Sequence, residues 1–206
     1  MALILKENEC DALREMGNIG AAHAATVLSQ MLNSQVEMSV PEIQVVDISE
    51  AHRYIDNEVA VLVIFQIQGE VKNGGYVLLH LQTGSALRLT DIMLGLPSTA
   101  REFSESDRST LMELGNIMVS SFLDATANLL GIMMIPSPPE LTIDIPHAVF
   151  QSLLAMEGVD IDEVVLFRTE LTSEEHRINS NLMLLPNPPM LDEIIRILNQ
   201  ILQIST

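Results

Sequence analysis

Apolar residues recur with helical spacing along two long stretches of the chain. The first stretch runs from about Glu7 to Asn33 and the second from about Asp107 to Leu130. Between and after them lie short β-rich runs, and the runs at 58–71 and 74–82 are joined by the sequence KNGG, which is typical of a hairpin turn. The pattern therefore predicts a mixed α/β protein with two long amphipathic helices.

The predicted elements follow the same order in both halves of the chain. After its long helix, the first half has a strand at 36–49, the hairpin and a helix at 84–95. After its own long helix, the second half has a strand at 139–146, hairpin strands at 163–171 and 178–187 joined by a loop, and a helix at 189–202. A polar link at 97–106 separates the halves. We predict one domain over residues 1–206, made of two repeats at about 7–97 and 107–204.

Identical residues 98 positions apart connect the two halves. A single offset without gaps over this span indicates an internal duplication, whereas chance likeness of two amphipathic helices would repeat leucines but not Glu-x-Gly-Asn-Ile. The pairs are Leu13 and Leu111, Glu15 and Glu113, Gly17 and Gly115, Asn18 and Asn116, Ile19 and Ile117, Leu32 and Leu130, Pro41 and Pro139, and Glu42 and Glu140.

Helical geometry places residues i, i+4 and i+7 on one face, here called the front. The front of the first helix carries Asp11, Glu15 and Asn18, and the front of the second carries Ser109, Glu113 and Asn116. Small residues follow on both fronts, and the opposite sides are apolar. We expect Asp11 and Ser109 also to cap or support the helix starts.

Gly17 and Gly115 fall on or near the apolar backs of the helices, where glycine costs about 1 kcal/mol relative to alanine. We predict that these glycines let another backbone approach closely and that their role is packing.

The repeated pair of a glutamate and an asparagine is the candidate functional feature. An ordinary solvated face would explain either copy alone, but the repetition favours a function. Without a nucleophile at a recurring position, a carboxylate and an amide can hold a positive group and orient a water. Phosphoryl hydrolysis divides its labour in that way.

Composition excludes several classes of partner and site. A net charge of −18 leaves no basic patch for nucleic acid and repels anionic membranes. Cys10 is the single cysteine, which suits a reducing compartment. With no signal-peptide pattern and no run of eighteen apolar residues, we predict a cytoplasmic protein. The five histidines lack metal-ligand spacing, so no metal site is predicted.

The pattern (Asp/Ser)-x3-Glu-x2-Asn-x22-Pro occurs twice, as Asp11, Glu15, Asn18, Pro41 and again as Ser109, Glu113, Asn116, Pro139. It resembles the CheC family, phosphatases of the phosphorylated chemotaxis response regulator CheY, and the resemblance covers the whole chain. It implies a pseudo-twofold α/β fold with two long helices side by side on a sheet.

The resemblance also implies roles for single residues. Glu15 and Glu113 would pair with the lysine of CheY, and Asn18 and Asn116 would orient water toward its aspartyl phosphate. Mg²⁺ would belong to CheY, and this chain would bind no cofactor of its own. Relatives often bind the receptor deamidase CheD, for which Asp144 is the best candidate contact. A monomer is expected, since a CheX-like dimer carries one pair per chain.

The alternative is a non-enzymatic interaction module similar to the flagellar switch proteins FliM and FliY, binding CheY or CheD. The presence of both Glu/Asn pairs favours the phosphatase. The sequence does not rank the two sites, and one of them being weak or silent stays open.

Overall fold

The fold is built on one antiparallel sheet with helices on both faces. The structure, a computed structural model, describes residues 5–47, 58–71, 74–97, 101–156 and 163–204. Within these residues the helices are α1 (Glu7–Leu32), α2 (Thr83–Leu94), α3 (Glu105–Leu130), α4 (Pro146–Met156) and α5 (Pro188–Ile204). The strands are β1 (Glu37–Met38), β2 (Glu42–Asp47), β3 (Ala60–Gly69), β4 (Tyr76–Gln82), β5 (Met134–Pro136), β6 (Glu140–Asp144), β7 (Glu163–Ser173) and β8 (Ile178–Leu185).

The two long helices keep the offset of 98 at both ends. Each has 26 residues, and each is followed by a residue in the left-handed conformation, Asn33 with φ 48° and Gly131 with φ 67°. Asparagine and glycine are the residues that adopt this conformation most readily at a helix end. The helix boundaries therefore follow from local sequence in the same way in both halves.

The two halves exchange strands across the sheet. The strand order is β1-β7-β8-β4-β3-β5, with β2 also paired to β7 and β6 also paired to β3. The strand that follows α1 thus pairs with the hairpin of the second half, and the strand that follows α3 pairs with the hairpin of the first half. Hairpin strands β4 and β8 pair with each other at the centre. This arrangement has the pseudo-twofold form that the resemblance implied.

One face of the sheet holds the main core. The apolar backs of α1 and α3 pack there, with α2 and α5, and Leu13, Phe65, Leu111, Phe167 and Ile194 are all buried in it. The other face carries a smaller cluster, in which Val149, Phe150 and Leu153 of α4 pack on strand residues. The long helices therefore have a firm support behind them, and their fronts stay on the outside of the helix layer.

The structure changes three sequence predictions. The strand at 36–49 is divided around Pro41, which has no N–H for a ladder; β1 ends before it and β2 begins after it. Residues 48 and 49 lie outside the described residues, as do Lys72 and Asn73 of the KNGG turn, although β3 and β4 pair as predicted. Helix α3 begins at Glu105, inside the predicted link, and the elements β5 and α4 were not predicted.

Candidate functional site

The fronts of α1 and α3 present the repeated Glu/Asn pairs to solvent. Glu15 and Glu113 are exposed, and Asn18 and Asn116 are partly exposed. Within the described part of the chain, none of these four side chains has a hydrogen bond or an ion pair. Their polar atoms are therefore available to a partner, and no contact with the residues that the structure describes explains why they recur.

Gly17 and Gly115 lie directly behind the fronts, against side chains of the sheet layer. A Cβ on Gly17 would stand 3.4 Å from Cβ of Pro41 and 3.8 Å from Cδ1 of Phe167. A Cβ on Gly115 would stand 3.2 Å from Cγ1 of Val63 and 3.3 Å from Cζ of Phe65. The predicted packing role is confirmed at Gly115, where a Cβ would be tight, whereas at Gly17 a Cβ would make an ordinary contact. The prediction of a close backbone neighbour is wrong, because the nearest groups are side chains: Pro41 and Phe167 at Gly17, and Val63 and Phe65 at Gly115.

Asp11 and Ser109 do not cap their helices. The N-cap positions are Lys6 and Ser104, and Asp11 and Ser109 lie inside the helices, past the first turn. Asp11 instead accepts a hydrogen bond of 2.7 Å from Arg14 on the exposed surface, and Ser109 is exposed. The capping prediction is wrong for both residues, because each helix begins four to five residues earlier than they stand.

The start of α3 is held by a buried ionic cluster. The carboxylate of Asp107, whose side chain is 0% exposed, accepts two hydrogen bonds of 2.6 Å from the guanidinium of Arg101. Arg101 Nε also donates to Oδ1 of Asp91 at 2.8 Å, and this bond connects the segment that precedes α3 to helix α2. The bonds from Arg101, followed by those from Ser104, hold the pKa of Asp107 far below its usual range, although burial alone would raise it.

The start of α1 has a weaker counterpart at the residue 98 positions earlier, Glu9. Its carboxylate accepts a hydrogen bond of 2.9 Å from the backbone N–H of Lys6 and lies 3.7 Å from Lys6 Nζ. The amide of Asn199 in α5 donates to it at 3.4 Å. The bond from the Lys6 backbone lowers the pKa of Glu9.

The other predicted residues lie apart from the fronts. Pro41 is buried behind α1 against Gly17, and Pro139 is partly buried at the start of β6. Asp144 ends β6, which pairs with β3; it is exposed, and its Oδ1 accepts a hydrogen bond of 2.7 Å from the backbone N–H of Ile145. Asp144 thus lies in the sheet layer, whereas the Glu/Asn pairs lie in the helix layer.

The cluster around Asp107 was missed from the sequence, although one signal was available. Ser104 and Asp107 form a capping box, in which the Ser104 backbone donates to Asp107 at 2.7 Å and Ser104 Oγ accepts from the Asp107 backbone at 3.3 Å. A serine followed three residues later by an acid is a helix-start signature, and it places the start at Glu105. The partnership with Arg101 and Asp91 has no such local signal.

The Glu/Asn pairs lie on an open helix surface. A groove of about 320 Å³ lies on the opposite side of the sheet, lined by Ile64, Tyr76, Leu153 and neighbouring residues and by neither Glu/Asn pair. Among the described residues no three His, Cys, Asp or Glu side chains converge on a possible metal site. No helix in the described ranges is both long and apolar enough to span a bilayer.

Comparison with known proteins decides the family. The model of the CheC-like family matches residues 9–45 and 107–143, which carry the two Glu/Asn pairs. The putative CheY-P phosphatase CheC1 of Halobacterium salinarum is 31% identical over 144 residues, which cover 68% of this chain and 72% of the relative. The chain belongs to the CheC-like family. The CheY-P phosphatase CheC of Bacillus subtilis is 29% identical over 192 residues, or 89% of this chain and 90% of that protein.

Solved structures share the CheC-like fold. FliY of Thermotoga maritima aligns over 96% of this chain and 99% of its own, with a TM-score of 0.76 and 21% identity. CheX of Borrelia burgdorferi, solved in complex with CheY, BeF3 and Mg²⁺, aligns over 88% of this chain and 97% of its own, with a TM-score of 0.55 and 17% identity. These likenesses establish the fold of this CheC-like chain.

Proposed function

We propose that this chain accelerates hydrolysis of the aspartyl phosphate on a CheY-type response regulator. The observation that carries the proposal is the pair of exposed, unpartnered Glu/Asn sets, 98 residues apart, in a chain of the CheC-like family. Similarity to two proteins named CheY-P phosphatase supports it. The chain would act as a monomer with two sites.

The two side chains of each pair would divide the work. Glu15 or Glu113 would form an ion pair with a lysine of the regulator and so fix the orientation of docking. Asn18 or Asn116, one turn along the helix, would enter the phosphorylated pocket, where its carbonyl accepts a hydrogen bond from the attacking water. Positioning a water in line with the scissile bond removes an entropic part of the barrier.

The reaction balances without a covalent intermediate on this chain. The oxygen of water bonds to phosphorus as the bond between phosphorus and the aspartyl oxygen breaks. The products are inorganic phosphate and the free aspartate carboxylate. The Mg²⁺ that offsets the phosphoryl charge would belong to the regulator.

The test measures phosphate release from the phosphorylated regulator, with Mg²⁺, with and without this chain. In the double variant N18A/N116A we expect acceleration to fall by about a hundredfold or more. Each single variant should keep about half of the rate if the two sites are independent and equally active. N128A, at an exposed asparagine of α3 about three turns beyond Asn116, is the matched control and should keep full activity.

Full activity in the double variant would overturn the assignment of the asparagines. Binding of the regulator without acceleration by the wild-type chain would instead favour a non-enzymatic module. The middle domain of Helicobacter pylori FliM also shares the fold, with a TM-score of 0.66 at 14% identity, so the fold alone does not decide between the two functions.

We also propose that the chain binds CheD through the end of β6. Asp144 is exposed there, and the flanking Ile143 and Ile145 are 36% and 40% exposed, so a charged side chain stands between two apolar ones on the surface. In D144R we expect the affinity for CheD to fall about tenfold or more and phosphate release to be unchanged. Titration calorimetry measures the first effect, and unchanged affinity would exclude this residue from the contact.

A further inference from the structure

The residues that α1 and α3 share point to one further functional position. Seven of the 26 aligned positions are identical in the two helices. Three of them, represented in α1 by Leu13, Gly17 and Leu32, are buried, so they are not available to a partner. Glu7 lies in the first turn, where a carboxylate favours the helix start. The remaining three are Glu15, Asn18 and Ile19 with their counterparts.

The isoleucine belongs to the same surface as the Glu/Asn pair. Ile19 follows Asn18 directly and stands four residues after Glu15, and helix positions three and four apart are neighbours on one face. Ile117 has the same relation to Glu113 and Asn116. Each front therefore carries a compact patch of one carboxylate, one amide and one large apolar side chain.

Exposure separates the isoleucine from the other apolar residues of these helices. Ile117 is 37% exposed, and it is the only large apolar side chain of α1 and α3 that is exposed to this degree; both helices are described throughout. Ile19 is partly exposed. A single exposed apolar residue is unremarkable on a protein surface, but the same residue recurs beside both asparagines without a packing reason.

We propose that Ile19 and Ile117 are docking contacts that pack against an apolar surface bordering the phosphorylated aspartate of the regulator. This inference rests on the proposed function. The side chain brings no chemistry of its own, so its contribution is to affinity and leaves the water-positioning step to the asparagine. Burial of an apolar side chain is also insensitive to salt, whereas the ion pair made by the glutamate is screened.

The experiment isolates one site at a time. I117S is made in the N18A background, where the second site acts alone, and I19S in the N116A background. Initial rates of phosphate release are measured against the concentration of phosphorylated regulator. We expect KM to rise about tenfold with kcat within about twofold, whereas substitution of the asparagine lowers kcat. I135S, at an isoleucine 47% exposed on β5, is the control and should leave both values unchanged.

A binding measurement keeps the two proposals separate. Affinity for the regulator loaded with beryllofluoride and Mg²⁺ should fall about tenfold in the double variant I19S/I117S, in which neither front keeps its isoleucine, and the loss should persist in 0.5 M salt. If the wild-type chain accelerates phosphate release while I19S/I117S keeps the wild-type affinity and I117S keeps the KM of its N18A parent, the docking role is wrong and the proposed function stands. If the wild-type chain neither binds nor accelerates, the proposed function is wrong and the docking role falls with it.

Discussion

Helices α1 and α3 agree in length and in their exposed Glu, Asn and Ile, but their first turns are held differently. At α3, the buried carboxylate of Asp107 joins Arg101, Ser104 and, through Arg101, a residue of α2. At α1, Glu9 contacts the backbone of Lys6 and reaches one side chain of α5. The two halves thus share the same Glu, Asn and Ile on the front, whereas the contacts that hold the first turns of α1 and α3 differ. This difference indicates that a requirement other than the stability of each helix constrains the front.

Removal of the two matched acids, Asp107 and Glu9, should destabilise the protein to different extents. D107A should lower the free energy of unfolding by about 3 kcal/mol, because it leaves the guanidinium with one of its two carboxylate partners and removes the capping acceptor. E9A should cost at most about 1 kcal/mol, since its partners lie at the surface. Urea unfolding measures both, and equal losses would show that the two helix starts are equally supported.

D107A should also change how the stability of the protein depends on pH. Asp107 is deprotonated in the folded state far below the value of about 3.9 at which an unfolded aspartate titrates. As pH falls from 5 to 3, the unfolded chain therefore takes up a proton that the folded chain does not, and stability decreases. This carboxyl contributes at most about 1.4 kcal/mol per pH unit. D107A should lose stability less steeply than the wild-type protein over this range.

Local sequence predicts the elements of this fold better than their partners. The ends of α1 and the pairing of β3 with β4 follow from periodicity and turn residues. Helix α4 has Pro146 at its first position, a favoured site, with apolar Val149, Phe150 and Leu153 on one face, so it too had a local signal. The exchange of β2 and β6 between the halves had none, because packing of side chains distant in sequence selects the pairing.

Local sequence likewise predicts only part of the candidate site. Helical spacing alone places Glu15 and Asn18 on one exposed front, and the structure has them there. Helical spacing does not tell whether Gly17 faces backbone or side chains, because Phe167 and Pro41 reach this glycine from other elements. The sequence does not predict the exposure of Ile117 either, since a large apolar residue next to the apolar back of a helix is ordinarily expected to be buried.

Gly20 and Gly17 of α1 differ in how closely other residues pack against them, and alanine substitutions should show the difference. A Cβ on Gly20 would meet the ring of Phe122 in α3 at 2.7 Å and Cγ2 of Thr126 at 2.8 Å. Neither neighbour can move easily, because Phe122 is buried and the Thr126 hydroxyl donates to the carbonyls of Phe122 and Leu123. G20A should therefore destabilise the protein by about 1 to 2 kcal/mol, since the cost of overpacking exceeds the gain in helix propensity.

G17A should have the opposite sign. Its new Cβ would stand 3.4 Å from Pro41, an ordinary contact, so the gain in helix propensity of up to about 1 kcal/mol is retained. Thermal unfolding of the two variants measures the contrast on one helix with one chemical change. A lower unfolding temperature for both would mean that Pro41 and Phe167 press on α1 at Gly17 as closely as α3 does at Gly20. Opposite shifts would show that the contact between the helices, and not the contact with the sheet, is what requires glycine in α1.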